Sequence, residues 1–173
     1  MGSLGKLSRS ISGRVAIVTG SASGMGRATA HLFSDEGASV AVCDRNSEGV
    51  NQVVSEITDA GGLASGYVID LDDASAIGDF TSQVRNDLGP VDILVNNAGV
   101  SHRGNIESEN FEDLWTMTFS VNLDAQMRLI RSCLSDLKRN EDGRIVNIAS
   151  TCLLYTSDAA DEGLGVDLGG RRI

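Results

Sequence analysis

Proline occurs once in 173 residues, while glycine occurs 20 times. So little proline leaves long helices uninterrupted, and the glycine excess supplies backbone for tight loops, which suits a helix-rich α/β chain. Positive charge is also in short supply. Fourteen Lys and Arg stand against 24 Asp and Glu, a net charge of −10. No basic patch is visible, which argues against a nucleic-acid partner. No uncharged stretch reaches the roughly 18 residues of a membrane-spanning helix, so no membrane association is expected. Residues Met1–Ser12 carry Lys6 and Arg9 with no apolar run behind them, unlike a secretory signal. Three cysteines, Cys43, Cys133 and Cys152, are scattered without metal-ligand spacing, and their odd number argues against a disulfide framework. The expectation is a cytoplasmic protein with no metal site.

What remains is ordinary globular composition, 41% hydrophobic and 22% charged, and a length that suits one compact domain. Short apolar runs alternate with longer amphipathic ones. Strands are predicted at Arg14–Thr19, Ser39–Asp44, Gly66–Ile69, Val91–Val95 and Arg144–Ile148. Helices are predicted over Gly24–Glu36, Val50–Ala60, Ala74–Leu88 and, as one long segment, Phe111–Arg139. The first helix would turn Ala28, Leu32 and Phe33 inward, and the long one Leu114, Met117, Val121, Leu129 and Leu137. Strands alternating with helices of this length give a parallel sheet built from right-handed crossovers.

The first strand runs into Thr19-Gly20-Ser21-Ala22-Ser23-Gly24-Met25-Gly26, and a helix follows at once. A glycine triplet alone is a weak signal, but a strand-to-helix setting is the context it requires. There the backbone amides and the helix N-terminus face a pyrophosphate, with glycine wherever a Cβ would collide. Gly20, Ser23, Gly24, Met25 and Gly26 are the candidate contacts; an ordinary glycine-rich turn is the alternative. Asp44 ends the second strand, near the offset of about 20 residues at which an acid binds a ribose 2′-hydroxyl. A carboxylate there favours NAD over NADP, whereas Arg45 next to it is able to pair with a 2′-phosphate. NAD is the expected cofactor and NADP the second choice.

Residues Arg14 to Ser150 resemble a short-chain dehydrogenase/reductase. The TGSASGMG block has that family's glycine spacing, Asp70-Leu71 follows the third strand, and Asn96-Asn97-Ala98-Gly99 follows the fourth. Asn122 lies in the long helix, and Ile145-Val146-Asn147-Ile148-Ala149-Ser150 closes the series. The resemblance implies a Rossmann-like doubly wound parallel sheet, three layers α/β/α, with strand order 3-2-1-4-5 and truncated on the C-terminal side. It implies adenine contacts at Asp70 and Leu71, and nicotinamide-ribose contacts at Asn97, Ala98 and Gly99. It also implies a relay water held by Asn122, and Ser150 as the catalytic serine that polarises a substrate oxygen. The implied function is NAD(P)-dependent hydride transfer to or from a small-molecule alcohol or carbonyl compound, in a homo-oligomeric parent protein.

One part of the family pattern is absent. Such chemistry needs a tyrosine as general acid/base with a lysine four residues on to lower its pKa. The two lysines, Lys6 and Lys138, both precede Ser150, and the residue four beyond Tyr155 is Ala159. Cys152–Glu162 and Val166–Ile173 moreover read as translations of two consecutive segments of transposase-adapter DNA from sequencing libraries. Residues 1–151 are therefore expected to form an incomplete NAD(P)-binding domain and 152–173 a non-native tail, leaving a chain that binds cofactor poorly and has no activity. A non-catalytic dinucleotide-binding module is the alternative.

Overall fold

A computed structural model describes residues 10–101, 105–139 and 142–149. Five strands alternate with helices in chain order: β1 (Val15–Thr19), α1 (Gly24–Asp35), β2 (Ser39–Asp44), α2 (Ser47–Asp59), β3 (Leu63–Val68), α3 (Ala76–Asp87) and β4 (Ile93–Asn96). Then come α4 (Phe111–Phe119), a π-helical turn (Ser120–Asp124), α5 (Ala125–Leu137) and β5 (Arg144–Asn147). All strand pairs are parallel and the sheet order is β3-β2-β1-β4-β5, as the sequence predicts.

β1 is central, and its five residues Val-Ala-Ile-Val-Thr are all buried, as a strand covered on both faces requires. Its pleat divides the core. Ala16 and Val18 pack with Ala30, Val50, Val53 and Ile57 on one face; Ile17 joins Leu94, Phe80, Val84, Leu129 and Cys133 on the other. Because β2 and β4 leave β1 in opposite directions, the crossovers part above the carboxyl ends of β1 and β4. In open α/β sheets that is where ligands bind.

Two helices depart from the sequence reading. In α1, Ala28 and Leu32 point outward, and the sheet-facing residues are Gly26, Ala30 and the half-buried Phe33. A glycine in the contact row lets the helix axis come close and sets its rotation, so counting apolar residues picks the wrong face. The predicted single helix Phe111–Arg139 is broken by the π-helical turn. After it, Val121, Ala125, Leu129, Cys133 and Leu137 form a buried row at spacing four, whereas α4 buries no residue. Leu114 and Met117 are therefore not core residues; Met117 lies at the surface beside Trp115, which stacks on Phe119 at 4.6 Å. Smaller differences concern α2, which starts early because Asn46 caps it by accepting from Gly49 N at 3.2 Å, and β3, which extends back to Leu63 to pair with Ser39.

Candidate functional site

The chain leaves β1 through Gly20, whose φ of 64° lies in the left-handed region and whose Cβ would approach Ala98 Cα to 2.8 Å. Only glycine satisfies both constraints. Gly26 packs the first turn of α1 against that bend. A Cβ there would overlap the Gly20 carbonyl oxygen and come within 2.5 Å of Asn97 Nδ2. The start of α1 is electrostatically open, since Ser23 makes no side-chain cap and no acidic residue lies in the first turn. α2, by contrast, has both a capping Asn46 and Glu48. An uncapped N-terminus leaves N–H groups and the positive end of the helix dipole facing the crevice.

The loop after β4 is fastened to the same bend. The Thr19 hydroxyl accepts from Asn97 N and from Ala98 N, each at 2.9 Å. Asn97 Nδ2 donates to Thr19 O at 2.8 Å and to Gly20 O at 3.3 Å. Further along, the Asn122 carboxamide clasps Val100 in both directions: Val100 N donates to Oδ1 and Nδ2 donates to Val100 O, each at 2.8 Å. Asn122 sits in the π-helical turn, so the helix defect is what brings this side chain onto the loop. Such turns are frequent at functional sites. Asn96 Nδ2 reaches Asn147 Oδ1 at 2.8 Å, joining β4 to β5.

On the other side of the crevice Asp44 is half-buried. Its Oδ2 accepts from Ala22 N at 3.2 Å and its Oδ1 from Asn46 N at 3.0 Å. A carboxylate has about four acceptor positions, so capacity remains for a diol. Asp70 forms a turn by accepting from Asp72 N at 3.0 Å, and Leu71 is buried beside it.

These pieces enclose a cavity of about 340 Å³. Gly20, Ser23, Gly24, Met25, Asp44, Arg45, Asp70, Leu71, Asn97, Ala98 and Gly99 all line it. Of the cofactor candidates from the sequence only Gly26 does not, and its part is to let α1 approach. Asn122 acts from behind through Val100. Ser150, with Tyr155 and the segment 152–173, lies outside the described residues. The sequence reading missed Cys43, Ile69, Val100 and Val121, which also line the cavity. They are apolar wall, and only the register of neighbouring strands and loops identifies them. Burial pushes the Cys43 thiol far above its ordinary range, with the Asp44 charge adding to the effect. Burial therefore favours the neutral thiol at this wall position. Among the described residues no cluster of His, Cys, Asp and Glu is placed to hold a metal ion, and no helix is long and apolar enough to cross a membrane.

The donor set fits a dinucleotide. Gly20 and Gly26 shape a cradle by lying where a Cβ would collide with Ala98 or with the Gly20 carbonyl, and the α1 N-terminus, without a side-chain cap or an acid in its first turn, favours an anion. Asp44, bonded to Ala22 N of the same turn, offers acceptors beside it.

A family model described as short chain dehydrogenase matches residues 14–159, a range that ends inside the segment Cys152–Glu162. The chain is 37% identical over 142 residues to 2,3-dihydro-2,3-dihydroxybenzoate dehydrogenase of Bacillus subtilis, covering 82% of this chain and 54% of the relative. It is 36% identical over 140 residues to 2,5-dichloro-2,5-cyclohexadiene-1,4-diol dehydrogenase of Sphingobium indicum, covering 81% and 56%. Among solved structures it is similar to a metagenomic short-chain oxidoreductase in complex with NADP, with TM-score 0.77, 37% identity and coverage of 82% of this chain and 64% of that one. It is also similar to a 7α-hydroxysteroid dehydrogenase complexed with NADH and 7-oxo glycochenodeoxycholic acid, with TM-score 0.80, 29% identity and coverage of 85% and 57%. The chain spans about half the length of the curated relatives it matches. With the parallel sheet, the glycine bend and the Asn-Asn-Ala-Gly loop in place, the chain belongs to the short-chain dehydrogenase family.

Proposed function

We propose that this chain is the dinucleotide-binding part of an NAD(P)-dependent oxidoreductase acting on a small alcohol or carbonyl compound, with NAD preferred over NADP. The observation that carries the reading is the meeting, in one cavity, of an uncapped helix start, the Gly20 bend that admits no Cβ, and the Asp44 carboxylate. The pyrophosphate would lie against Gly20, Ser23, Gly24 and Met25, the adenosine end against Asp44, Arg45, Asp70 and Leu71, and the nicotinamide ribose against Asn97, Ala98 and Gly99. Asp44 accepts hydrogen bonds from a 2′,3′-diol and repels a 2′-phosphate, which supports NAD; the exposed Arg45 beside it works the other way. When bound, the dinucleotide supplies the donor or acceptor of a hydride.

Ser150 would donate a hydrogen bond to the substrate oxygen. Asn122 keeps one carbonyl lone pair and one N–H beyond its bonds to Val100, enough to hold a relay water. The tyrosine–lysine pair that family chemistry requires is not found after Ser150 in this sequence. We therefore propose that the chain binds cofactor but is inactive, that residues 152–173 are a non-native tail, and that the parent protein is a cytoplasmic homo-oligomer. The dehydrogenase relatives support an enzyme over a non-catalytic binding module.

The test is a fluorescence titration with NADH and NADPH of the chain and of Gly26→Ala. Binding of NADH, weakened by about tenfold or more in the variant because the cradle must open, is the expected result. No binding of either dinucleotide by the folded wild-type chain would overturn the reading. Sequencing the source gene past the Thr151 codon tests the tail separately, and continuation into Tyr-x-x-x-Lys is expected.

A further inference from the structure

Ser21 is not among the cavity-lining residues and has no exposed surface. A turn that only needed to bend would be served by alanine or glycine at this position. Instead its backbone N–H donates to Cys43 O at 3.2 Å, and its hydroxyl accepts from Cys43 N at 2.9 Å while directing a longer bond, 3.4 Å, to Cys43 O. Thr19 is the last residue of β1 paired with Cys43 in the sheet register. After the chain swings away at Gly20, Ser21 returns to take up both polar backbone groups of that same residue. The Cys43 thiol does not compete, because it donates to Val18 O at 3.5 Å. The next residue along each segment continues the junction, with Ala22 N donating to Asp44 Oδ2. Residues 21 and 22 are thus laced to 43 and 44, and the lacing ends on the carboxylate at the adenosine end of the cavity.

We infer that Ser21 is a specificity-determining positioning residue, whose hydroxyl seats the glycine turn on β2 and thereby holds Asp44 where it discriminates against a 2′-phosphate. The inference rests on the cofactor reading above. Without the hydroxyl, the Cys43 N–H loses its 2.9 Å bond to the turn, the bend is held to the end of β2 by the Ser21 N–H alone, and Ala22 N fixes Asp44 Oδ2 less firmly. A carboxylate released in this way loses its hold on the ribose diol and yields to a 2′-phosphate. Affinity for NADH then falls while affinity for NADPH changes little.

The test is a double-mutant cycle on the full chain, with NADH and NADPH affinities measured for wild type, Ser21→Ala, Asp44→Asn and the double variant. Ser21→Ala is expected to lower the preference for NADH by about fivefold or more, and to change it less than about twofold when Asp44 is already Asn. Ile57→Val, a buried change in α2 remote from the bend, controls for general loosening and is expected to leave the preference unchanged. A Ser21→Ala preference within about twofold of wild type overturns the inference, as does an equal shift in the Asp44→Asn background or in Ile57→Val. A wild-type chain that binds NADH without preferring it overturns this inference and the proposed NAD preference, while leaving dinucleotide binding standing. Failure to bind either dinucleotide overturns the cofactor reading, and this inference with it.

Discussion

Replacing Thr19 with valine removes one oxygen atom and nothing of the side chain's shape. Thr19 is 1% exposed, so no water replaces what the hydroxyl accepted. Ala98 N–H loses its 2.9 Å acceptor, which costs about 1–3 kcal/mol for a buried unsatisfied donor. Asn97 N–H loses its bond of the same length but keeps Val95 O at 3.1 Å, so its loss is under about 1 kcal/mol. The bond from the hydroxyl to Val95 O is long, at 3.4 Å, and adds little. The total is about 1–4 kcal/mol, centred on 2–3.

Thr19→Ser keeps the oxygen and deletes a buried methyl, which costs about 1 kcal/mol. The two variants therefore separate hydrogen bonding from packing. Urea unfolding followed by circular dichroism is the assay. At a slope of roughly 2 kcal/mol per M, Thr19→Val is expected to lower the midpoint by about 1–1.5 M and Thr19→Ser by about half a molar unit. If Thr19→Val matched wild type within about 0.5 kcal/mol, or proved milder than Thr19→Ser, the hydroxyl would not be what fastens the Asn-Asn-Ala-Gly loop to β1.

Alkaline pH attacks a different part of the core. Burial pushes the Cys133 thiol up to about 11 from 9.0, and burial also raises Cys43 and Tyr67, the latter helped by its bond to Asp87. Groups with raised folded-state values leave stability intact below the unfolded values and erode it above them. The melting temperature is thus expected to be level up to pH 9 and to fall from there toward pH 11; a level profile across that window would refute the burial of these groups. At the sheet edge, Ile145, Val146 and Ile148 of β5 and its flank are each 40% exposed or more, and an exposed apolar edge strand is a template for pairing between chains. Concentration-dependent self-association is expected by light scattering, and Val146→Lys is expected to reduce it; no effect of that charge would show that another surface drives association.

The parallel sheet and the glycine bend were legible because they depend on local pattern, whereas the strand order and the wall at Asp70, Leu71, Asn97, Ala98 and Gly99 were legible through the family resemblance. Apolar β-branched runs such as Val15–Val18 announce covered strands, and glycines between a strand and a helix announce the bend. What escaped depends on contacts between distant segments. Val100 and Val121 look like ordinary apolar residues in the sequence, and become wall only because Asn122 pulls the loop onto a π-helical turn. That turn has no marker in the sequence: no proline or glycine lies between Phe111 and Leu137, so periodicity reads one straight helix.

The same reasoning explains the error in α1. Apolar count favours Ala28 and Leu32, but the helix rotates to bring Gly26, which has no side chain, against the bend. Close approach outweighs the burial of Leu32, which remains 57% exposed. The positions where pattern fails are thus the ones where α1 and the post-β4 loop are drawn together over the carboxyl ends of β1 and β4. There, backbone geometry that admits a ligand takes precedence over covering the next apolar side chain.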